Sequence, residues 1–155
     1  MLLDEKAQEL YVHAGRDHGP KPAQTLRLRI GQGIAGRAAA EGVPVVAENL
    51  EQDQRFVPQP GAAPAGSTLL SVPMIAQNRV VGVINVRSMT ARRFTDDEVR
   101  TLQLIAGRTA LSVDNARYRE TLESERRKFQ GIVETAADGI VLIDRSGHVV
   151  HANGA

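Results

Sequence analysis

The side chains best able to do chemistry in this 155-residue chain are few, and cysteine is not among them. Without it, disulfides, thiolate zinc sites and thiol nucleophiles are excluded together. His13, His18, His148 and His151 lack the spacing of a metal site on one element. His148 and His151 are three apart on a β-like run and point to opposite faces. The sequence contains no Ser–His–acid set, no histidine-kinase phosphoacceptor box and no cyclase signature. Gly31-Gln32-Gly33-Ile34-Ala35-Gly36 does match GxGxxG, the outward form of a dinucleotide-binding loop. The strand before it alternates with arginine, whereas the first strand of a Rossmann fold is almost wholly apolar. The helix after it is stopped by Gly42 and Pro44, too soon for a crossover between parallel strands. These glycines therefore read as a tight strand-to-helix turn, with a helix start that an anion or ligand carbonyl could approach. What remains is polar groups with matching strand parity. Ser71 shares a face with Leu69 and Pro73, and Asn85 shares one with Arg87.

The elements that must position these groups fall into two regimes. Up to about Ser88, short β-like runs alternate with Gly/Pro punctuation. Glu9 to Ala14 reads as a strand, and a polar loop follows through Pro22. Leu26-Arg27-Leu28-Arg29-Ile30 alternates strictly, so its apolar residues face inward. Gly33 to Glu41 is an Ala-rich helix ending at Gly42-Val43-Pro44, and Val45–Ala47 is a short strand. Glu51 to Ser67 is proline- and glycine-rich and reads as a long loop or lid. Leu69–Ile75 and Val80–Arg87 are the strongest strands, joined by a tight turn at Gln77-Asn78-Arg79. About five antiparallel strands with a short helix predict an α+β sheet.

From Phe94 to about Ala137 there is no proline and the pattern is helical. Thr95 with Glu98 forms a capping box, and Asp96 and Asp97 favour the same helix end. Val99, Leu102, Ile105/Ala106, Thr109/Ala110 and Val113 form a stripe suited to packing on the sheet. A second stripe, Leu104, Leu111, Tyr118, Leu122, Phe129 and Ile132, runs past the end of the first, mostly at heptad spacing. Asn115 falls on that seam and Glu125 interrupts it. At a rise of about 1.5 Å per residue, an unbroken helix from Asp96 to Ala136 is about 60 Å long. A homodimer through helix 99–136 is the simplest way to cover it.

Taken in order, several segments resemble bacterial GAF domains. They are Ile30-Gly31-Gln32-Gly33-Ile34-Ala35-Gly36-Arg37, Val43-Pro44-Val45-Val46, Asp53-Gln54-Arg55-Phe56, Ser71-Val72-Pro73-Met74, Val81-Gly82-Val83-Ile84-Asn85-Val86, Phe94-Thr95-Asp96-Asp97-Glu98 and Asp114-Asn115-Ala116-Arg117. The resemblance implies a mostly antiparallel sheet with helices on one face, a ligand pocket on the other, and a long C-terminal helix. Such a domain normally opens with a helix, whereas Met1 enters within the first strand, so the expectation is a domain lacking its first helix and leaving apolar sheet surface bare. Phe129 to Asn153 resembles the opening of a PAS domain, with Asp144–Gly147 as a hairpin turn. The expected organisation is a GAF-like sensory domain at 1–116, a signalling linker helix at 117–128 and the start of a PAS domain at 129–155.

By the same resemblance the pocket face carries Leu69, Ser71, Asn85 and Arg87, closed by the helix from Gly33 through Ala35 and by the lid around Asp53 and Phe56. Ser71, Asn85 and Arg87 converging in an apolar wall suit a small polar or anionic ligand. Free methionine sulfoxide reduction and most bilin attachment in related domains depend on cysteine, and positions that are acidic in the reductase branch align with Asn85 and Arg87. No catalytic group or cofactor is implied, and the chain is expected not to be an enzyme. The cyclic-nucleotide-binding branch carries Asn-Lys … Phe … Asp-Glu. Asn78-Arg79, Phe94 and Asp97-Glu98 echo it imperfectly, and a hairpin turn plus a helix cap explains the same residues. The reading is thus a sensory module of a bacterial signal-transduction protein, a histidine kinase or cyclic-di-nucleotide enzyme with downstream PAS and output domains. The alternative is a cyclic-nucleotide or other small-molecule-binding module without a relay role. A net charge of +1 without a basic tract argues against nucleic acid. The absence of a long apolar run or a leader-like start argues against membrane insertion and makes a cytoplasmic location the default.

Overall fold

The computed structural model describes residues 1–15, 26–57, 66–134 and 139–153. These fall into two compact units, Met1–Asp114 and Asn115–Ala155. The polar loop expected through Pro22, the middle of the lid and residues 135–138 lie wholly or partly outside the described residues.

In the first unit the strands are β1 (Leu2–Asp4), β2 (Glu9–Tyr11), β3 (Arg27–Arg29), β4 (Val45–Ala47), β5 (Thr68–Ala76) and β6 (Arg79–Ser88). They form one sheet in the order β3-β2-β1-β6-β5-β4, antiparallel throughout. One more strand is present than the pattern predicts: β1 is three residues long, too short to display an alternation. The antiparallel order leaves no parallel crossover at the GxGxxG string, as the alternating strand before it requires.

The β5–β6 hairpin turns through Gln77 and Asn78, both with positive φ (48° and 61°), the geometry of a two-residue turn that follows strand twist. Met74 pairs with Gly82 and Ile75 with Val80, leaving Val81 as the extra residue of a β-bulge. The bulge breaks the alternation usefully: Val80 and Val83 join one core cluster while Val81 joins the other.

Those two clusters lie on opposite faces. Helix α1 (Gly33–Glu41) brings Ile34, Ala35, Ala38 and Ala39 to one, against Leu3, Leu10, Leu28, Val45 and Val83. It ends on Gly42 in the left-handed region, whose N–H donates to the Ala38 carbonyl. Helix α2 (Asp96–Glu134) brings Ala106 and Ala110, both fully buried, to the other, against Leu70, Val72, Met74, Ala76 and Val81. The capping box forms as expected: Thr95 N–H donates to Glu98 Oε2 at 2.9 Å and Glu98 N–H to Thr95 Oγ1 at 3.2 Å. Of the expected sheet-facing positions, Val99, Leu102, Ala106, Ala110 and Val113 pack there, while Ile105 is exposed.

In the second unit, β7 (Val141–Ile143) and β8 (Val149–Ala152) pair as a hairpin. Asp144 Oδ1 accepts from the backbone of Ser146 and His148, which forms the expected turn. Asn153 fastens this unit, accepting from Ile140 N–H and donating to the Val133 carbonyl.

Gly36 sets how closely α1 lies on β3. A Cβ there would stand 2.5 Å from the Arg29 carbonyl oxygen and 3.2 Å from Gly31 N. Gly36→Ala is expected to destabilise the first unit by about 1–3 kcal/mol through overpacking, read as a lowered urea midpoint; an unchanged midpoint would show that the helix has room to shift.

Candidate functional site

Cross-strand register brings four of the sequence-selected residues into one block. Ser71 pairs with Asn85 and Leu69 with Arg87 on alternate positions of β5 and β6. Alternation from Val83 places Asn85 and Arg87 on the α1 side of the sheet, and alternation from Leu69 places Ser71 there. Ser71 is fully buried, and its Oγ donates to Asn85 Oδ1 at 2.8 Å. That bond satisfies a hydroxyl that would otherwise lie buried without a partner, at a cost of about 1–3 kcal/mol. Asn85 and Arg87 are exposed, so the block has a dry end at Ser71 and a wet end at its amide and guanidinium. Ala35, Phe56 and Leu69 all belong to or pack on the α1-side cluster, giving the polar block an apolar border.

Asp53, also selected from the sequence, is committed to the lid itself. Arg55 Nε donates to Asp53 Oδ1 at 2.8 Å and Nη2 to Oδ2 at 2.5 Å, a forked ion pair. Arg55 Nη2 also donates to the Val46 carbonyl at 3.2 Å. Since β4 is an edge strand, this guanidinium occupies an acceptor on the open side of the sheet. The Arg55 hydrogen bonds hold the Asp53 carboxyl below the usual aspartate range, and Asp53 raises Arg55 in return. The segment is further set by Phe56 N–H donating to the Asp53 carbonyl and Leu50 N–H to the Ser67 carbonyl. Arg55 escapes sequence reasoning because its partner on β4 is decided only by folding.

A groove of about 540 Å³ lies between α1 and this segment, lined by Gly31, Gly33, Arg37, Glu41, Arg55 and Phe56, among others. Gly33 has φ +70°, and a Cβ there would meet Val57 Cγ2 at 3.4 Å, so glycine permits the close approach of the lid. The two guanidinium groups of the groove are already matched, Arg37 by Glu41 at 3.2 Å and Arg55 by Asp53. The groove therefore offers little net charge, and Phe56 is its one residue among those selected from the sequence.

The GxGxxG string is accounted for by its own turn: Gly31 N–H donates to the Gly36 carbonyl and Gly36 N–H to the Gln32 carbonyl. The imperfect cyclic-nucleotide signature resolves likewise. Asn78 sits in the hairpin turn, the Arg92 guanidinium lies 4.4 Å from the Phe94 ring centre, and Glu98 caps α2. Arg79 pairs with Asp114 and Glu5, not with Asp97 or Glu98. Among the described residues no group of three or more His, Asp or Glu side chains stands together as a metal site. No helix among them is long and apolar enough to cross a membrane.

Comparison with known proteins bears on the fold. The GAF domain of a phosphoenolpyruvate-protein phosphotransferase from Coxiella burnetii is 19% identical, with a TM-score of 0.69, covering 77% of this chain and 72% of that one. The corresponding domain from Acinetobacter is 21% identical, with a TM-score of 0.65, covering 77% and 71%. A free methionine-R-sulfoxide reductase from Neisseria meningitidis, solved with its substrate, is 21% identical, with a TM-score of 0.63, covering 76% and 66%. No curated protein sequence matches the chain. The reductases correct one expectation. The chain was expected not to be an enzyme, yet further reductases of this kind also share the fold, so the architecture itself supports catalysis and gives no ground for that exclusion. The missing cysteine rules out a thiol route; it does not rule out every reaction the fold can house. The family model for the GAF domain matches residues 1–114, which take in the six-stranded sheet, α1 and the first half of α2, and the chain belongs to the GAF domain family.

Proposed function

We propose that this chain is a regulatory GAF module that takes a small polar or anionic molecule on the α1 side of β5 and β6. The observation that carries the reading is the Ser71–Asn85 hydrogen bond beside the Leu69–Arg87 pair. It holds an amide in place next to a guanidinium, two donor groups that suit acceptor-rich ligands. Phe56 and Leu69 supply apolar wall, and Asp53 acts on the ligand indirectly by holding the lid through Arg55. In this reading the occupied lid biases α2, which passes the signal to a second copy and to downstream domains of a bacterial sensor, with the β7–β8 hairpin as the opening of a PAS domain. Exposure of Leu104, Leu111, Tyr118, Leu122, Phe129 and Ile132 along α2 supports pairing of the helix with its copy.

Titration of the full chain with inorganic phosphate, small carboxylates and cyclic nucleotides, followed by backbone NMR, is expected to shift residues 69–71 and 85–87. Arg87→Ala is expected to weaken that binding by about tenfold or more, the size of one charge-assisted hydrogen bond. Shifts elsewhere, or unchanged affinity in the variant, would sink the proposed site. The lid carries its own pH dependence. Asp53 titrates below its unfolded value, so its contribution is fully present above the ordinary aspartate range and lost as pH falls through the depressed folded value. Proteolysis at the lid is expected to accelerate over that acid window in the parent and not in Asp53→Asn, whose lid should be uniformly susceptible. Light scattering is expected to show a dimer, and a monomer at every accessible concentration would remove the paired-helix step.

A further inference from the structure

We propose that Arg79 is a clamp that fixes where α2 leaves the sheet, and that its opening couples the sheet's hairpin ends to the helix. The inference does not depend on the identity of any ligand. Asp114 is buried, its side chain only 11% exposed, and its Oδ1 accepts from Arg79 Nη2 at 2.7 Å. A carboxylate held out of water needs such a partner. On its other side the same guanidinium reaches Glu5, with Nη1 at 3.4 Å from Oε1.

The placement gives the contact its meaning. Arg79 is the first residue of β6, immediately after the positive-φ pair Gln77-Asn78, and it pairs with Ala76, a buried member of the cluster beneath α2. Glu5 lies in the turn between β1 and β2, where the preceding Asp4 accepts from the backbone of Lys6 and Ala7. One guanidinium thus joins two hairpin turns to one helix. On the helix, Ala106, Ala110 and Asp114 follow one another at four-residue spacing and are all buried. From 115 to 132 no residue of α2 is buried. Asp114, a charged residue, is thus the last buried position of α2 before that exposed stretch. The fully buried positions before it are alanines, flanked by the partly buried Val99, Leu102 and Val113, and this apolar packing holds the helix against the sheet. A 2.7 Å ion pair is directional and adds an angular constraint at the end of that packed stretch. Because Arg79 also holds Glu5, a displacement of either hairpin end is transmitted to Asp114 without crossing the core.

Amide hydrogen exchange on the full chain tests this. Arg79→Gln and Asp114→Asn are each expected to speed exchange at residues 110–118 by about tenfold, the loss of one charge-assisted bond, with less effect on β5 and β6. The double variant should exchange no faster than either single one, because both remove the same contact. Should either variant fail to fold, Arg79→Lys keeps the charge but lacks the fork that spans both acids. It is expected to leave residues 110–118 protected and to speed exchange in the turn at residues 5–8. Unchanged exchange at 110–118 in the Gln and Asn variants, an equal rise throughout β5 and β6, or additive effects in the double variant would each overturn the clamp, as would equal exchange in parent and Arg79→Lys at 5–8.

Discussion

The register of β5 against β6 is the constraint from which the rest of the first unit follows. Their ladder runs from Thr68–Ser88 to Ala76–Arg79 and contains the long central strands of the sheet. Both core clusters draw on it, one through Leu69, Val80 and Val83, the other through Leu70, Val72, Met74, Ala76 and Val81. A shift of one residue would exchange these faces and leave each helix facing the wrong side chains. The bulge at Val81 makes that register unequal along its length. It turns one additional valine towards α2 while keeping Val83, Asn85 and Arg87 on the side of α1. The polar block then sits at one end of the hairpin and Arg79 at the other.

Charge in this protein is largely spent on joining elements. Arg55 fastens the lid to the open edge at Val46, Arg79 links turns to α2, and Arg92 spans Phe94 and Glu98 at the helix start. The fully buried Thr68 belongs to the same system: its Oγ1 contacts the Glu48 and Arg92 carbonyls and accepts from Arg92 N–H, holding together the approaches to β5 and α2. Guanidinium groups suit this task because one planar fork can serve two partners at once. This is why an arginine-rich chain with a net charge of +1 carries no basic tract directed at a polyanion.

Family membership constrains the architecture more tightly than the chemistry. Neighbours at 19–21% identity that share the fold include GAF domains of phosphoenolpyruvate-protein phosphotransferases and a free methionine-R-sulfoxide reductase. In this chain the paired β5 and β6 positions hold Ser71, Asn85 and Arg87, without a thiol. The missing cysteine removes one nucleophile and leaves open the other chemistries that the fold can house.

By itself the sequence determined the elements with local causes: the Thr95–Glu98 cap, the stop at Gly42, the turn at Gln77-Asn78 and the faces of β5 and β6. Periodicity and capping act over a few residues, so they are legible without knowing the fold. Strand parity likewise aligned Leu69 with Ser71 and Asn85 with Arg87, which is half of the candidate site. The β1 strand, the bulge at Val81 and the partners of the arginines belong to the tertiary structure. No spacing rule tells which acid Arg79 will meet, because Asp114 lies 35 residues from it and reaches it only when α2 is laid on the sheet. Short-range pattern wrote the parts, and long-range packing chose which charges would hold them together.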